Sequence, residues 1–496
     1  MLKRHLIWAS FAATLALAAC GGDGDTAAEG DSGAASPTPA PAPASQFIEP
    51  LDTAGKSVAT KAEPAATSRL PAQAKVAQMA LGPLPASTAA KSSAVADKGA
   101  PLKIGESRTV DATATSATLG SRLDWNTLAD GTQVAAVAFT AEGAKGLRLG
   151  VRVDALPAGA VLRFYSSSEG QVSEVTAAQI HARRQANAAA GLDQADARMV
   201  WGPDTNGATS VLEVQLPAGA SPSQAQLAVP QLSHLTATVA DIATGKAAGD
   251  IGSSGSCNLD VTCSAYQSEG RSVARMTFVD GGSTYLCTGT LMNDTQNSRT
   301  PYFLTANHCV DTPAVASTLN TYWFYRAASC GSSQLDSAAT VRTGGADLLY
   351  SNAIIDTTLL RLKDSAPANV LYAGSYYGSV ASGTGTLGVH HPMGDLQKYS
   401  IGSVAGFGTC TIDSSGNISC DSASESSASK LQISWSSGTT EGGSSGSAIF
   451  AQSGDTRYVV GTLTGGTASC TWRNGSDYYA RFQNAFSDGI QKWLAP

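Results

Sequence analysis

Three separate segments carry residue types that together could perform nucleophilic catalysis. His308 follows an apolar run in the stretch PYFLTANHCV, Asp356 lies within the apolar stretch AIIDTTLLRL, and Ser445 lies in the glycine-rich stretch EGGSSGSAIF. Histidine is well suited to take a proton from a serine hydroxyl near neutral pH, and a carboxylate can fix the tautomer of the imidazole. Their order along the chain is His308, Asp356, Ser445.

Each of these residues also has a structural interpretation. A histidine beside a cysteine is often structural, Asp356 could cap a turn, and Asp347 in GGADLLY competes with it as the orienting carboxylate. The serine stretch could be one more flexible loop, because Ser-Ser-Gly recurs elsewhere in the chain.

The surrounding elements favour the catalytic interpretation. An apolar strand leads into His308, and we expect Asp356 to interrupt a second apolar strand, where a carboxylate is costly unless it is paired. Glycines flank Ser445 and the apolar residues Ala448-Ile449-Phe450 follow it, as when a tight turn presents a hydroxyl before a strand enters the core. Backbone N–H groups can converge on a developing oxyanion in such a turn.

Length and charge limit the other possibilities. A chain of 496 residues exceeds what one core usually organises, so we expect at least two domains. The formal net charge of −7 gives no basic face for nucleic acid, which we therefore exclude as a partner.

The amino terminus has the pattern of an export signal. Basic residues precede an apolar run that is too short for a stable membrane span and that ends in Leu17-Ala18-Ala19-Cys20. This ending resembles the bacterial lipobox, which implies a lipoprotein signal peptide over residues 1–19 and lipidation of Cys20. An ordinary signal with a chance cysteine is the alternative. Residues 20–45, rich in glycine, proline and alanine, are expected to form a solvated tether.

A region without cysteines follows the tether. Residues 46 to about 100 give no clear pattern, but alternating apolar residues beyond them predict strands, including segments 209–216 and 224–235. We expect a small antiparallel β-sandwich from about residue 100.

The distribution of cysteines changes after this region. Eight cysteines lie between Cys257 and Cys470, and an even number in an exported segment points to disulfides. The small polar stretch TGKAAGDIGSSGS marks a boundary at 246–256, so we place one domain at 46–246 and another at 247–496.

The carboxy-terminal half resembles the chymotrypsin-like serine proteases, and most closely the bacterial lysyl endopeptidases. The resemblance covers residues 252–496 and is carried by several ordered motifs. They are SGSCNLDVTC, LCTGTLMND, YFLTANHC, YWFYRAASC, VHHPMGDLQKYS, GGSSGSAIF and SDYYARF. It implies an all-β fold of two six-stranded barrels with the active site between them. A carboxy-terminal helix is also expected, since Phe482, Phe486, Ile490 and Trp493 have helical apolar spacing.

The resemblance implies a role for each candidate residue. Ser445 would be the nucleophile, His308 the general base and acid, and Asp356 the orienting carboxylate, with an acyl-enzyme intermediate. The backbone N–H groups of Gly443 and Ser445 would form the oxyanion hole. Ser444 replaces the aspartate that precedes the nucleophile in animal trypsins, so activation by an ion pair to a new amino terminus is not expected.

The same resemblance implies three disulfides, which are Cys257–Cys470, Cys263–Cys330 and Cys287–Cys309. Cys410 and Cys420 remain, and nine residues separate them. A local fourth bridge between them is the economical inference.

Substrate specificity is expected to depend on Asp477. By the resemblance, this carboxylate lies at the base of the pocket that receives a basic side chain, and Thr464 and Gly465 line that pocket. The alternative is a plain surface aspartate. Thr464 stands where lysine-specific members have a histidine, so we expect cleavage after lysine and arginine, with lysine moderately favoured.

Residues 46–246 resemble, more weakly, the propeptides of such proteases. We expect this region to assist folding or cover the cleft and the protease to cut after Lys246. The protein would reside in the bacterial cell envelope, anchored in the outer membrane by its lipid, and cutting would release the protease.

The sequence also leads to expectations about cofactors and partners. We expect a monomer that uses no metal or other cofactor and acts on proteins or peptides with accessible lysine or arginine. His390 and His391 could suggest a metal pair, but adjacent strand residues face opposite sides, so a structural role is favoured. A catalytically idle, surface-anchored binding lipoprotein on the same scaffold remains the alternative function.

Overall fold

The computed structural model describes residues 46–55, 66–85, 98–166, 172–237, 253–413 and 417–496. The signal peptide, Cys20, the tether and Lys246 lie outside the described residues. None of the helices among the described residues has the length and hydrophobicity of a membrane-spanning segment.

The amino-terminal region forms a β-sandwich whose apolar strand faces are buried. The predicted alternation is observed, since one face of the strand Gly146–Ala155 is buried along its length. Its described strands are Ala77–Leu81, Leu102–Thr109, Asn126–Thr127, Gln133–Ala141, Gly146–Ala155, Val161–Ser166, Val172–Thr176, Met199–Trp201, Thr205–Asn206, Thr209–Leu216 and Gln226–Leu235.

The sandwich differs from the expectation in two respects. It begins before residue 100, because Ala77–Leu81 pairs in parallel with Gln133–Ala141, so the sheet is not wholly antiparallel. It also carries a helix, Ala177–Ala189, which begins with a capping box between Thr176 and Gln179. The short strand contains a single large buried residue, Met79, which is too weak a pattern to recognise.

The carboxy-terminal region contains the two barrel-like sheets of a chymotrypsin fold, as the resemblance implied. The first contains Val273–Asp280, Ser283–Met292, Tyr302–Thr305, Asn320–Trp323, Thr340–Arg342, Ala346–Asn352 and Thr357–Leu362. The second contains Ser375–Tyr376, Gly385–His390, Lys398–Ile412, Ile418–Ser422, Lys430–Ser437, Ala448–Ser453, Thr456–Gly466 and Asp477–Arg481, with Leu259–Asp260 paired to its edge.

Helical segments are short in this half of the chain. They are Val261–Cys263, Gln267–Gly270, Pro313–Ser317, Pro392–Gly394 and a carboxy-terminal run of Phe482–Ala485, Phe486–Ile490 and Gln491–Leu494. The terminal run buries Phe482, Phe486 and Ile490 in a core cluster that contains residues of both barrels, and Trp493 is partly buried against it, as their spacing predicted.

Two segments of the amino-terminal region join the sheets of the protease half. The strand Leu102–Thr109 pairs with Gln226–Leu235 on one side and with Ser283–Met292 on the other, so one continuous sheet runs from sandwich to barrel. Phe47–Ile48 pairs with Ser375–Tyr376 in the second barrel. Both additions lie against strands that were expected to belong to the protease alone.

Four disulfides connect the eight cysteines of the described residues. The pairs are Cys257–Cys470, Cys263–Cys330, Cys287–Cys309 and Cys410–Cys420. They match the pairing implied by the resemblance and the local bridge inferred for the remaining two cysteines. Cys410 and Cys420 are directly opposite one another on the paired strands of a hairpin.

Candidate active site

The structure brings His308 and Asp356 into direct contact. The ring Nδ1 of His308 lies 3.0 Å from Oδ2 and 3.1 Å from Oδ1 of Asp356, and the His308 backbone N–H donates to Oδ1 at 2.9 Å. The carboxylate therefore accepts two bonds from the same residue, which fixes both the backbone and the plane of the ring. A proton on Nδ1 leaves Nε2 free to accept one from a nucleophile.

Asp356 occupies a turn and not the middle of a strand, which corrects the expected position. It precedes the strand Thr357–Leu362 and has a φ of 59°, in the left-handed region that is unusual for a residue other than glycine. The competing carboxylate, Asp347, instead pairs with Arg361 and Lys363 near the surface. Asp356 is thus the acidic residue that meets His308.

A buried lysine lies beside this carboxylate. Lys430 is 1% exposed, and its Nζ donates to the backbone carbonyl of Ile355. Burial lowers the pKa of Lys430 to about 8, although the nearby charge of Asp356 opposes this. Burial alone would raise the pKa of Asp356, but the contacts with His308 and the charge of Lys430 outweigh it, so that pKa is lowered. The carboxylate therefore stays ionised at neutral pH.

The serine turn is held in a conformation that only glycine readily adopts. Gly443 and Gly446 have φ values of 88° and 81°. A Cβ on Gly446 would lie 2.2 Å from Oγ1 of Thr305, on the strand that leads to His308, so the turn packs directly against that strand. Within the described residues, the backbone N–H groups of Gly443 and Ser445 donate no hydrogen bond. Both of these N–H groups of the turn are therefore without an acceptor in the described part of the chain.

One strand of the first barrel connects the serine turn to the histidine. Thr288 donates its backbone N–H to the carbonyl of Ser445 at 2.9 Å and its hydroxyl to the carbonyl of Gly443 at 2.9 Å. The preceding residue, Cys287, forms the disulfide to Cys309, next to His308. This strand thus contacts the serine turn through Thr288 and is linked to the histidine segment through Cys287.

A chain of buried hydrogen bonds links the serine turn to the neighbouring strands of the second barrel. Ser400 Oγ donates to the carbonyl of Thr439 at 2.7 Å, so it must accept from His390 Nε2 at 3.0 Å. His390 Nδ1 then accepts the hydroxyl proton of Ser444 at 2.9 Å. Burial lowers the pKa of His390 to about 3, so the ring is neutral. Ser444 therefore anchors the turn, and His390 has the structural role that was favoured for it.

Asp477, the predicted specificity residue, is fully buried and paired. Its Oδ2 accepts from Trp435 Nε1 at 2.7 Å and from Thr440 Oγ1 at 2.6 Å. Its Oδ1 lies 3.0 Å from Nζ of Lys98, a residue of the amino-terminal region, and the side chain of Asp477 has no exposed surface. The alternative of a plain surface aspartate is therefore wrong.

The other predicted pocket residues lie close by. Gly465 faces the backbone of Lys98, and a Cβ there would lie 2.7 Å from the carbonyl oxygen of that lysine. Thr464 is buried, and its hydroxyl has no hydrogen-bond partner in the described part of the chain. The absence of a side chain at Gly465 leaves room for an occupying main chain.

The structure does not join His308 to Ser445 by a hydrogen bond. His308 Nε2 is buried without a partner among the described residues, and the hydroxyl of Ser445 donates instead to the carbonyl oxygen of Lys98 at 3.1 Å.

Several residues of the site were missed by sequence reasoning. Lys430, Trp435 and Thr440 lie on or just after the strand Lys430–Ser437. The letters of this stretch, KLQISWSSGTT, carry no catalytic pattern, because the roles of these residues depend on partners far away in the chain. Lys98 stands before glycine in an alanine-rich stretch, and nothing local distinguishes it from other lysines.

Metal-ligating residue types approach one another at one place in the described residues. Cys287, His308 and Cys309 have potential ligand atoms within 4.8 Å of each other. Both sulfurs belong to a disulfide, so neither is a thiolate ligand. His391, the other histidine considered for metal, has its Nδ1 3.0 Å from the carbonyl of Asp395.

Removing the disulfide beside His308 should reduce catalysis far more than removing the hairpin disulfide. Loop entropy gives a similar stability loss of about 3 kcal/mol for C287S/C309S and for C410S/C420S, whose loops span 22 and 10 residues. Only the first pair positions the histidine, so only that variant should show a lower kcat. Thermal unfolding and hydrolysis rates measure the two effects, and equal kcat losses would contradict the assignment.

Two β-barrels, a carboxylate-bound histidine and a glycine-rich serine turn define the class of protein, which is a serine endopeptidase of chymotrypsin-like fold. Comparison with known proteins agrees with this class. Residues 251–480 match the lysyl endopeptidase C-terminal domain, and residues 77–236 match the lysyl endopeptidase N-terminal domain. A lysyl endopeptidase from Pseudomonas aeruginosa is 34% identical over 433 residues, which cover 83% of this chain and 86% of that protein. The chain belongs to the lysyl endopeptidase family.

Solved structures with similar folds share little sequence. Protease Anisep from Arthrobacter nicotinovorans has 16% identity and a TM-score of 0.31, over 46% of this chain and 96% of that one. The HtrA-type protease AlgW with tripeptide has 17% identity and a TM-score of 0.32, over 47% of this chain and 62% of that one.

Proposed function

We propose that this serine endopeptidase hydrolyses peptide bonds after basic residues, with Ser445, His308 and Asp356 as its catalytic triad. The observation that carries the proposal is the pair of oxygens that Asp356 places against His308 Nδ1, which leaves Nε2 free.

The site residues would act in two steps. Ser445 Oγ attacks the carbonyl carbon of the substrate and passes its proton to His308 Nε2, while the N–H groups of Gly443 and Ser445 bind the oxyanion. The C–N bond breaks as the leaving amine takes that proton from His308. Water, activated by the same histidine, then hydrolyses the acyl-enzyme, and Asp356 remains ionised throughout.

The preference for lysine over arginine is supported by the two oxygens of Asp477. Trp435 and Thr440 already donate to Oδ2, so Oδ1 is the oxygen that remains for a substrate cation. A guanidinium gains most from a carboxylate by binding both oxygens, whereas a compact ammonium needs only one. Thr464 adds no charge of its own. We therefore propose that lysine is favoured and that arginine is accepted.

We propose an exported protein for the following reasons. Four disulfides are typical of an oxidising compartment, and the amino-terminal pattern is that of a lipoprotein signal. The protein would be a monomer tethered to the bacterial envelope through Cys20, and residues 46–246 would be its propeptide.

Labelling with a fluorophosphonate probe tests the catalytic proposal against the idle binding lipoprotein. We expect the enzyme matured from the full-length chain to be labelled on Ser445. The full-length chain with Ser445→Ala should stay unlabelled, whereas Ser447→Ala, two residues away in the same turn, should retain the label. Labelling that survives Ser445→Ala would exclude this serine as the nucleophile.

Self-processing after Lys246 is a further part of the proposal, because this lysine fits the proposed specificity. Amino-terminal sequencing of the mature protein should give Ala247 for the wild type and no such terminus for Ser445→Ala. Identical processing of the two chains would exclude self-cleavage.

A further inference from the structure

Lys98 is paired with Asp477, the proposed specificity residue. Its Nζ lies 3.0 Å from Asp477 Oδ1 and also donates to the backbone carbonyl of Ala468. The Lys98 side chain is 11% exposed, and the carboxylate is fully buried. A buried charge is costly unless it is paired, so each of these groups satisfies the other. The position suited to a substrate cation is therefore occupied by a residue of the same chain.

The backbone of Lys98 is not arranged for reaction. Ser445 Oγ donates its proton to the Lys98 carbonyl oxygen at 3.1 Å, whereas attack requires Oγ to approach the carbon and release its proton to His308. The N–H groups of Gly443 and Ser445 donate no bond within the described residues, so the Lys98 carbonyl lies outside the oxyanion hole. Because the Ser445 hydroxyl donates its proton to the Lys98 carbonyl, it does not donate to His308, and His308 Nε2 is left without a partner among the described residues.

The residues after Lys98 hold it in place. Leu102 and Leu286 are paired in antiparallel strands, and Ile104 packs with them in a small buried cluster. Strand addition of this kind supplies main-chain hydrogen bonds that do not depend on the lysine. A residue tethered so close to the pocket has a high effective concentration there.

We propose that Lys98 is an internal inhibitor, which occupies the specificity pocket in a non-reactive position and excludes basic substrates from the uncut chain. The proposal rests on the proposed function for the pocket's preference for a cation. It differs from simple coverage of the cleft, because it assigns the blockade to one side chain and its partner Asp477.

Binding of p-aminobenzamidine, a fluorescent cation that fits such pockets, tests the blockade. In the full-length Ser445→Ala chain, which cannot cut itself, we expect binding to be at least about tenfold weaker than in Ser445→Ala/Lys98→Ala. The control is Ser445→Ala/Lys103→Ala, because Lys103 lies on the same segment but pairs with Glu106. It should bind as weakly as Ser445→Ala alone.

The rate at which each lysine is acetylated gives a second measurement, which needs no pocket ligand. A misfolded variant would be recognised by rapid acetylation of lysines that are buried in the folded chain. In the full-length Ser445→Ala chain, Lys98 should be acetylated at least about tenfold more slowly than Lys103, and Ser445→Ala/Asp477→Asn should remove most of that protection.

Together, the binding and acetylation measurements distinguish an error in the inhibitor proposal from an error in the proposed function. Equal p-aminobenzamidine binding with and without Lys98, or rapid acetylation of Lys98, would overturn the inhibitor and leave the proposed function intact. No binding in any variant, with Lys98 still protected, would overturn the preference for a cation and with it the proposal that basic substrates are excluded.

Discussion

Replacing Asp356 with asparagine should lower kcat by about 10⁴-fold, because the histidine would adopt the wrong tautomer. His308 directs two donors, its backbone N–H and its Nδ1–H, at the two oxygens of this carboxylate. An asparagine offers one acceptor oxygen and one amide donor. The oxygen would accept the backbone N–H of His308, and the amide N–H would donate to Nδ1, which must then be unprotonated. Nε2 would then carry the proton and could not accept another from Ser445.

The loss is measured as steady-state hydrolysis of a lysyl chromogenic substrate. Asp356→Asn is matured by a small amount of tagged wild-type protein that is then removed, and Ser445→Ala treated identically provides the blank. Asp347→Asn, which changes the competing carboxylate in the same barrel, should retain full kcat. A near-normal kcat for Asp356→Asn, or a large loss for Asp347→Asn, would contradict the assignment of Asp356.

Replacing Asp477 with asparagine should reduce kcat/KM for lysyl substrates by about 10² to 10⁴-fold. Breaking one side of a buried ion pair costs about 3 to 5 kcal/mol, and each 1.4 kcal/mol is a factor of ten. Asparagine has nearly the same shape and keeps an oxygen for Trp435 and Thr440, so the pocket should retain its form. The loss should therefore fall on charged substrates, while phenylalanyl substrates stay slow but unchanged.

A panel of substrates with lysine, arginine, phenylalanine or glutamate before the cleaved bond measures this effect. Asp455→Asn removes the same charge from an exposed position of the second barrel and serves as the control. If both variants lose equal activity on lysine, long-range charge and not the pocket would be responsible. Equal turnover of lysine and phenylalanine by the wild type would contradict the role of Asp477 directly.

The sequence predicted much of this arrangement because the relevant signals are local or carried by ordered motifs. The strand before His308, the glycines around Ser445 and the helical spacing that begins at Phe482 each specify their own conformation. Local pattern left Asp347 as an alternative carboxylate and the resemblance favoured Asp356, which is the one that the fold places against the histidine. Its left-handed turn also differs from the strand that its apolar neighbours suggested.

Contacts between distant parts of the chain could not be predicted. Lys98 is 379 residues from Asp477, and no pattern in the sequence connects them. Trp435 was one aromatic residue among several until its indole N–H was found on the carboxylate. Met79 belongs to a strand that forms only because a neighbouring strand is available to it. Such features depend on tertiary partners and not on local propensity.

Mapping the bonds that the enzyme cuts in an unfolded protein substrate tests the central claim most directly. The enzyme is matured from the full-length chain, the substrate is digested, and every new terminus is identified by mass spectrometry, with Ser445→Ala as the blank. We predict that cuts follow lysine most often and arginine less often, and that none appears with Ser445→Ala. Frequent cuts after neutral or acidic residues, or cuts that persist in Ser445→Ala, would contradict the account.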